Sequence, residues 1–345
     1  MLGDGRTLDG YIADDPAGAL GPAVVTRFGP RLPFLLKILA VEQPLSIQVH
    51  PTAAQAVEGY TREDTAGVPP DSPERSYHDR WHKPEMVVAL TEFEALLGFE
   101  DPARTAALLE SCEHPELADA GPVLRAENGL RTVVSRWLTL PDGAAGEVLK
   151  ALVEEASSRG NEPAFGLIDR LARLYPKDRG LLLALLMCHV RLRPGEAAFV
   201  PAGVPHTYLS GVAVEAQASS DNTVRAGLTA KHVDPAEVLR LLRWEPCGAV
   251  FVDAVPAGPD ELVYPVQDGI EEFRLSRLTP TAEGTAAPGP RILLVMDGAA
   301  QVTSAGSVLD VRRGQAAFVP AADADARIHG RGTVFALTSA LDTAR

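Results

Sequence analysis

The chain has 345 residues, 46% of them hydrophobic and 23% charged, with a formal net charge of −14. That length predicts roughly two or three domains of an ordinary soluble protein. The acidic balance argues against general nucleic-acid binding, which needs a basic surface, and the longest apolar run, residues 181–188, falls well short of the ~20 residues a membrane helix needs.

The chain does not open on a charged-then-apolar leader, and Cys112, Cys188 and Cys247 are scattered with no CxxC pair. A reduced, cytoplasmic setting is expected, with the thiols buried or incidental. In chain order, residues 31–50 (RLPFLLKILAVEQPLSIQVH) read as strand, with one polar face at Ser46, Gln48 and His50. Residues 85–100 read as strand, turn, strand. From Asp101 to Met187 the pattern becomes helical. Asp101 can cap a helix through Leu109, Ile168, Leu171 and Leu174 fall at helical spacing, and Gly180 precedes an apolar helical run. Strand signals then return between Pro and Gly turns. Residues 256–260 read as a linker and residues 279–290 as a loop.

An internal repeat organises the β-rich parts. Residues 193–201 read RPGEAAFVP and residues 312–320 read RRGQAAFVP, an offset of 119. The first copy continues to His206, whereas the second has Asp325 at the equivalent place. Only the first is expected to bind metal. Gly195, Pro201, Gly203 and His206 in that copy fit a cupin pattern, in which glycines make a tight turn and the next strand projects the histidine into a barrel. The expected architecture is mainly β: two cupin-type (jelly-roll) β-barrel domains with an inserted α-helical domain. Its boundaries are 1–100 plus 188–255 for the metal-binding β-domain, 101–187 for the helical insertion and 256–345 for a structural β-domain without metal ligands.

Gln48 and His50 are two residues apart, so on a strand they share a face. With Glu85 and His206 they would make a set of two imidazoles, a carboxylate and an amide oxygen. Such donors suit Zn²⁺, and Mn²⁺, Fe²⁺ or Co²⁺ are chemically compatible.

Several segments, in order, are similar to one family. They are Leu32–Lys37, Gln43–Pro51, His82–Met86, Ala89–Phe93, Pro201–His206 and Ser220–Lys231. Together they resemble the type I mannose-6-phosphate isomerases of the cupin superfamily. The resemblance implies one Zn²⁺ held by Gln48, His50, Glu85 and His206, a small-molecule sugar phosphate as substrate, and interconversion of mannose 6-phosphate and fructose 6-phosphate through an enediol. It assigns Arg225 as catalytic. Moving hydrogen between C1 and C2 needs a base for the C2 proton and positive charge for the developing oxyanion. Lys83, His82 and Asp221 stand as alternatives for the proton. Lys37, Ser46 and Lys231 are assigned to phosphate or substrate contact; a charge at Lys37 inside an apolar run needs such a reason. Glu215 is assigned to the sugar or to holding Arg225. A monomer or weak homo-oligomer is expected.

Family members carry further strands before the point where this chain begins, including a Trp-Gly and an Ala-Glu-Leu-Trp segment. A chain without them is expected to lose paired sheet edges. Two other readings compete: a non-catalytic sugar-phosphate-binding homologue, and another metal-dependent cupin enzyme such as an oxygenase.

Overall fold

The computed structural model describes residue 3 and residues 5–246, 250–266 and 269–341. Cys247 lies outside the described residues. Two antiparallel sheets dominate the fold, with helices around and between their strands. The first sheet contains β1 (Phe34–Val41), β2 (Ile47–Val49), β3 (Glu85–Ala89), β4 (Phe93–Phe99), β5 (Met187–Leu192), β6 (Ala197–Val200), β7 (His206–Ala218), β8 (Val224–Gly227) and β9 (Val250–Val252). The second contains β10 (Val255–Gly258), β11 (Glu261–Tyr264), β12 (Arg274–Leu278), β13 (Thr285–Ala286), β14 (Arg291–Ser304), β15 (Ser307–Arg312), β16 (Ala316–Val319) and β17 (Arg327–Thr338).

Strand β7 is the hub of the first sheet. Its first half pairs with β2 and β4, and its second half pairs with β1 and β3. The two halves meet at Gly211, whose φ is +107°; a Cβ there would lie 2.4 Å from the Glu92 carbonyl oxygen. Only glycine fits so close a strand crossing in that conformation. Side-chain alternation changes across it. Tyr208 and Ala213 share one apolar interior, while Leu209 packs on the helical side and Val214 and Ala216 face the second sheet. An uninterrupted strand would put 208 and 213 on opposite faces.

The two sheets are joined by an apolar layer. Phe34, Met86, Val88, Phe199 and Val214 pack with Tyr264, Phe273, Leu275, Phe335 and Leu337. Each fully buried Phe contributes roughly 1.5–3 kcal/mol. An exposed ion pair such as Arg27–Glu271 contributes under about 1 kcal/mol. The apolar layer therefore holds the sheets together.

The sequence repeat is a structural repeat. Arg193 N donates to Glu196 Oε2 at 2.7 Å, and Arg312 N donates to Gln315 Oε1 at 2.9 Å. Gly195 and Gly314 have φ of +90° and +79°, and their N–H groups bond Ala89 O and Val295 O at 2.8 Å each. Each turn leads into a short strand, β6 or β16. The copies diverge afterwards: His206 opens β7 inside the first sheet, but Asp325 is exposed and accepts a hydrogen bond from Ser304 Oγ at 3.0 Å.

Between β4 and β5, helices run from Pro102–Glu110, capped by Asp101, to Gly180–Leu185. Their apolar faces share a core with Ile47, Val49, Leu209 and Val224. Three features differ from expectation. Residues 256–258 belong to β10 and pair with β11, so this stretch is strand and not a linker; Pro256 is tolerated because β10 is the edge of its sheet. Leu174 lies beyond the helix Pro163–Ala172 and is 46% exposed, so it does not extend the face made by Ile168 and Leu171. Within residues 279–290, β13 pairs with Ile328 and Arg327.

Helices unforeseen from the sequence precede β1, at Leu8–Asp14, Pro16–Leu20 and Pro22–Phe28, and pack near Trp81 and Phe318. Another, Ala53–Thr65, starts on a Thr52/Gln55 capping box. No helix among the described residues is long and apolar enough to cross a membrane.

Candidate metal centre

Three elements converge inside the first sheet. Gln48 sits on β2, directly across from His206 at the start of β7 and from Arg225 on β8. His50 follows β2 on the same face. Glu85 opens β3, which lies against the other half of β7. The turn before His206 depends on Gly203, at φ +80°, whose N–H bonds the His50 carbonyl at 2.9 Å; a Cβ there would meet Arg243 Cγ at 2.6 Å. That turn ties the His50 and His206 segments together.

The side chains of His50, Glu85 and His206 are all buried, and one ligand atom from each falls within 4.8 Å of the others. His50 Nδ1 lies 2.9 Å from the Asn222 carbonyl oxygen, and His206 Nδ1 lies 3.1 Å from the Val204 carbonyl oxygen. A carbonyl can only accept, so both Nδ1 atoms carry hydrogen. In the neutral rings, both Nε2 atoms then present lone pairs. These face Glu85, His50 Nε2 at 3.2 Å from Oε1 and His206 Nε2 at 3.3 Å from Oε2. Burial holds His50 down to about 4, so it is neutral at physiological pH. Its Nε2 is buried without a hydrogen bond. Two lone pairs aimed at a carboxylate make a set of acceptors that a cation completes, and the donor types fit zinc. Gln48, across from His206 in the sheet register, donates its amide N–H to Ser46 Oγ at 3.1 Å.

Burial pushes the Glu85 carboxyl up, but the basic groups His50 and Lys83 outweigh it and hold the carboxyl well below its usual range. Lys83 Nζ is 3.5 Å from Glu85 Oε1 and 3.4 Å from Thr223 Oγ1. Behind Glu85, the Tyr208 hydroxyl lies 3.5 Å from Oε2. Burial, reinforced by Glu85 and Glu215, pushes that phenol well above its usual range, so it stays a donor. Glu215 is itself raised to about 7, first by burial and then by Glu85, with Lys37 opposing.

The other expected residues are placed as follows. Lys37 on β1 is directly across from Glu215 on β7; its ammonium donates to Glu215 Oε2 at 3.1 Å and Gln217 Oε1 at 2.6 Å. Ser46 lies beside Gln48. Arg225 is half-buried, and burial alone lowers its pKa. Glu215 is paired with Lys37 and makes no bond to Arg225 among the described residues, so it does not hold Arg225. His82 Nε2 is engaged by Glu272 at 2.6 Å. Asp221 is exposed, its N–H bonded to Asp79 Oδ2 at 2.9 Å. Lys231 is exposed, and its backbone N–H bonds Thr229 Oγ1. Burial pushes the Cys112 thiol up to about 11, away from thiolate chemistry.

Sequence reasoning missed Asn222 and Tyr208. Tyr208 was findable, because it is two residues from His206 on one strand. Asn222 was not, because its partners lie in a distant irregular segment. It is fully buried; its side-chain oxygen accepts from His78 N (2.8 Å) and Asp79 N (3.1 Å), and its amide donates to Asp79 O and Trp81 O, both at 2.8 Å. Its backbone carbonyl meanwhile holds His50.

Comparison with known proteins agrees with this geometry. The family model for the type I phosphomannose isomerase catalytic domain matches residues 3–101. Mannose-6-phosphate isomerases of Shigella flexneri and Escherichia coli (strain K12) are each 36% identical over 334 residues, spanning 96% of this chain and 84% of theirs. The solved mannose 6-phosphate isomerase of Salmonella typhimurium, bound to substrate (f6p) and zinc, is 34% identical with a TM-score of 0.87, covering 97% of this chain and 85% of that one. A zinc-bound mannose 6-phosphate isomerase structure gives the same values. On this evidence the chain belongs to the type I mannose-6-phosphate isomerase family.

Proposed function

We propose that this protein interconverts mannose 6-phosphate and fructose 6-phosphate through an enediol, using one Zn²⁺ held by Gln48, His50, Glu85 and His206. The observation that carries this reading is the pair of buried imidazole lone pairs facing Glu85. Bound there, zinc would supply Lewis-acid polarisation of the sugar oxygens.

The chain's own residues supply the rest. The Arg225 guanidinium, on β8 directly across from Gln48 on β2, provides fixed positive charge for the developing oxyanion. Its partial burial strengthens that interaction. Lys83 and His82 are better placed than exposed Asp221 to carry the C2 proton, since both belong to the segment that ends on Glu85. Lys37 and Ser46 are assigned to offer a cation and a hydroxyl to the phosphate, with Lys231 contributing charge from its exposed position. Glu215 keeps Lys37 extended.

The first sheet with its candidate metal centre and the helices from 102 to 185 are read as a cupin-type catalytic domain with a helical insertion, and the second sheet as a cupin-like domain without ligands. The acidic charge and scattered cysteines support a small-molecule substrate, not nucleic acid, and a cytoplasmic monomer or weak homo-oligomer.

A coupled assay of mannose 6-phosphate turnover, with and without chelator, tests the reading. Turnover abolished by chelator and restored by Zn²⁺ is expected. No turnover by folded, zinc-loaded protein would refute it in favour of a binding protein. His206→Ala is expected to lose both metal and activity.

A further inference from the structure

His82 begins the segment that ends on Glu85, yet its ring is held from the stretch that leads into β12 of the other sheet. Its Nε2–H donates to Glu272 Oε1 at 2.6 Å. Glu272 immediately precedes Phe273, which is fully buried in the layer between the sheets. The carboxylate is itself set in place: Glu271 N–H donates to Glu272 Oε2 at 3.2 Å, and Ser339 Oγ and Ala340 N both bond the Glu271 carbonyl at 3.0 Å. Arg31 covers the adjoining Trp81 ring at 4.3 Å. Glu272 is 7% exposed and the His82 side chain 18%, so this is not a loose surface pair.

A carboxylate bonded to one imidazole nitrogen fixes the hydrogen there, locks the ring and leaves the other nitrogen as the proton acceptor. In His82 that other nitrogen, Nδ1, has no hydrogen-bond partner among the described residues. We propose that Glu272, just before β12 of the second sheet, is a positioning residue which orients His82 and sets its tautomer so that Nδ1 exchanges a proton with the sugar. The inference rests on the isomerase reading and gives the second β-rich half a task beyond packing. The proton taken by Nδ1 from one carbon or oxygen of the sugar is returned to another, so His82 ends each turnover neutral.

The test is a double-mutant cycle on zinc-loaded full-length protein, using H82A, E272Q and H82A/E272Q. E272Q keeps the side chain's size but not its charge. E272Q is expected to lower kcat roughly 10- to 100-fold, with KM for mannose 6-phosphate, zinc content and melting temperature close to wild type. The double variant is expected to match H82A within about twofold, because Glu272 acts only through His82. An E272Q kcat within about twofold of wild type would overturn the inference, as would an equal fall in the wild-type and H82A backgrounds, which a merely structural role produces. Absence of turnover by the wild type would overturn the isomerase reading and this inference with it; a wild type that turns over with E272Q unaffected overturns this inference alone.

Discussion

Replacing Asn222 by Ala tests whether a residue that touches neither metal nor substrate sets the metal site. The side chain satisfies two part-buried N–H donors, His78 N and Asp79 N. Removing it leaves both without a protein acceptor; partial access to water keeps the cost at the low end, about 1 kcal/mol each, for a total of about 2 kcal/mol. The acceptors fare better, because Trp81 O keeps a bond from Ser220 Oγ at 3.1 Å. Against a typical domain stability of 5–15 kcal/mol, the variant should fold but with a markedly lower urea midpoint. The backbone carbonyl at 222 would shift as the 78–81 segment relaxes, and with it the bond that fixes His50 Nδ1. Zinc affinity, titrated against a competing chelator, should then fall about 10- to 100-fold. Asn222→Asp should also destabilise, by a different route, since it brings a carboxylate to within 3.2 Å of Asp79 Oδ1. A midpoint within about 0.5 kcal/mol of wild type, together with unchanged zinc affinity, would refute the argument.

Lys37→Ala should raise KM for mannose 6-phosphate at unchanged zinc content, and Glu215, losing its cation, should be pushed further up; steady-state kinetics with metal analysis checks both. Glu94, held down to about 2 because Arg170 and His189 outweigh its burial, gives stability that is present above its unfolded pKa near 4.5 and is lost as pH falls towards 2. With solvent screening allowed for, Glu94→Gln should remove about 1–2 kcal/mol of that acid-side slope, measured by denaturation between pH 6 and pH 3. Gly211→Ala should lower the melting temperature by several degrees or prevent folding, because a Cβ would lie 2.4 Å from Glu92 O at a positive φ; calorimetry decides.

The cluster of His50, Glu85 and His206 was partly legible because two of its signals are local. The Gln48/His50 spacing needs only the period of a strand, and the His206 turn needs only its glycines and prolines. The repeat was legible for the same reason, and its two turns share one backbone geometry. Asp101 announced its helix because capping is a one-turn interaction. What stayed hidden depends on contacts far apart in the chain. Glu272 is 190 residues from His82, and Asn222 works through a segment near residue 79 that has no periodicity to read. Residues 256–258 look like a linker until their pairing with β11 is seen, because Pro and Gly mark both edges and loops.

The crossing at Gly211 has a consequence for how this protein can vary. Before it the even-numbered His206 and Tyr208 meet Glu85, and after it the odd-numbered Glu215 and Gln217 meet Lys37. One glycine thus acts as a phase shifter along a single 13-residue strand. Loops between the helices can lengthen or shorten at little cost. A one-residue insertion or deletion in this strand would turn one half of the site inside out, so the strand's length should be held more tightly than the identity of any single charge on it.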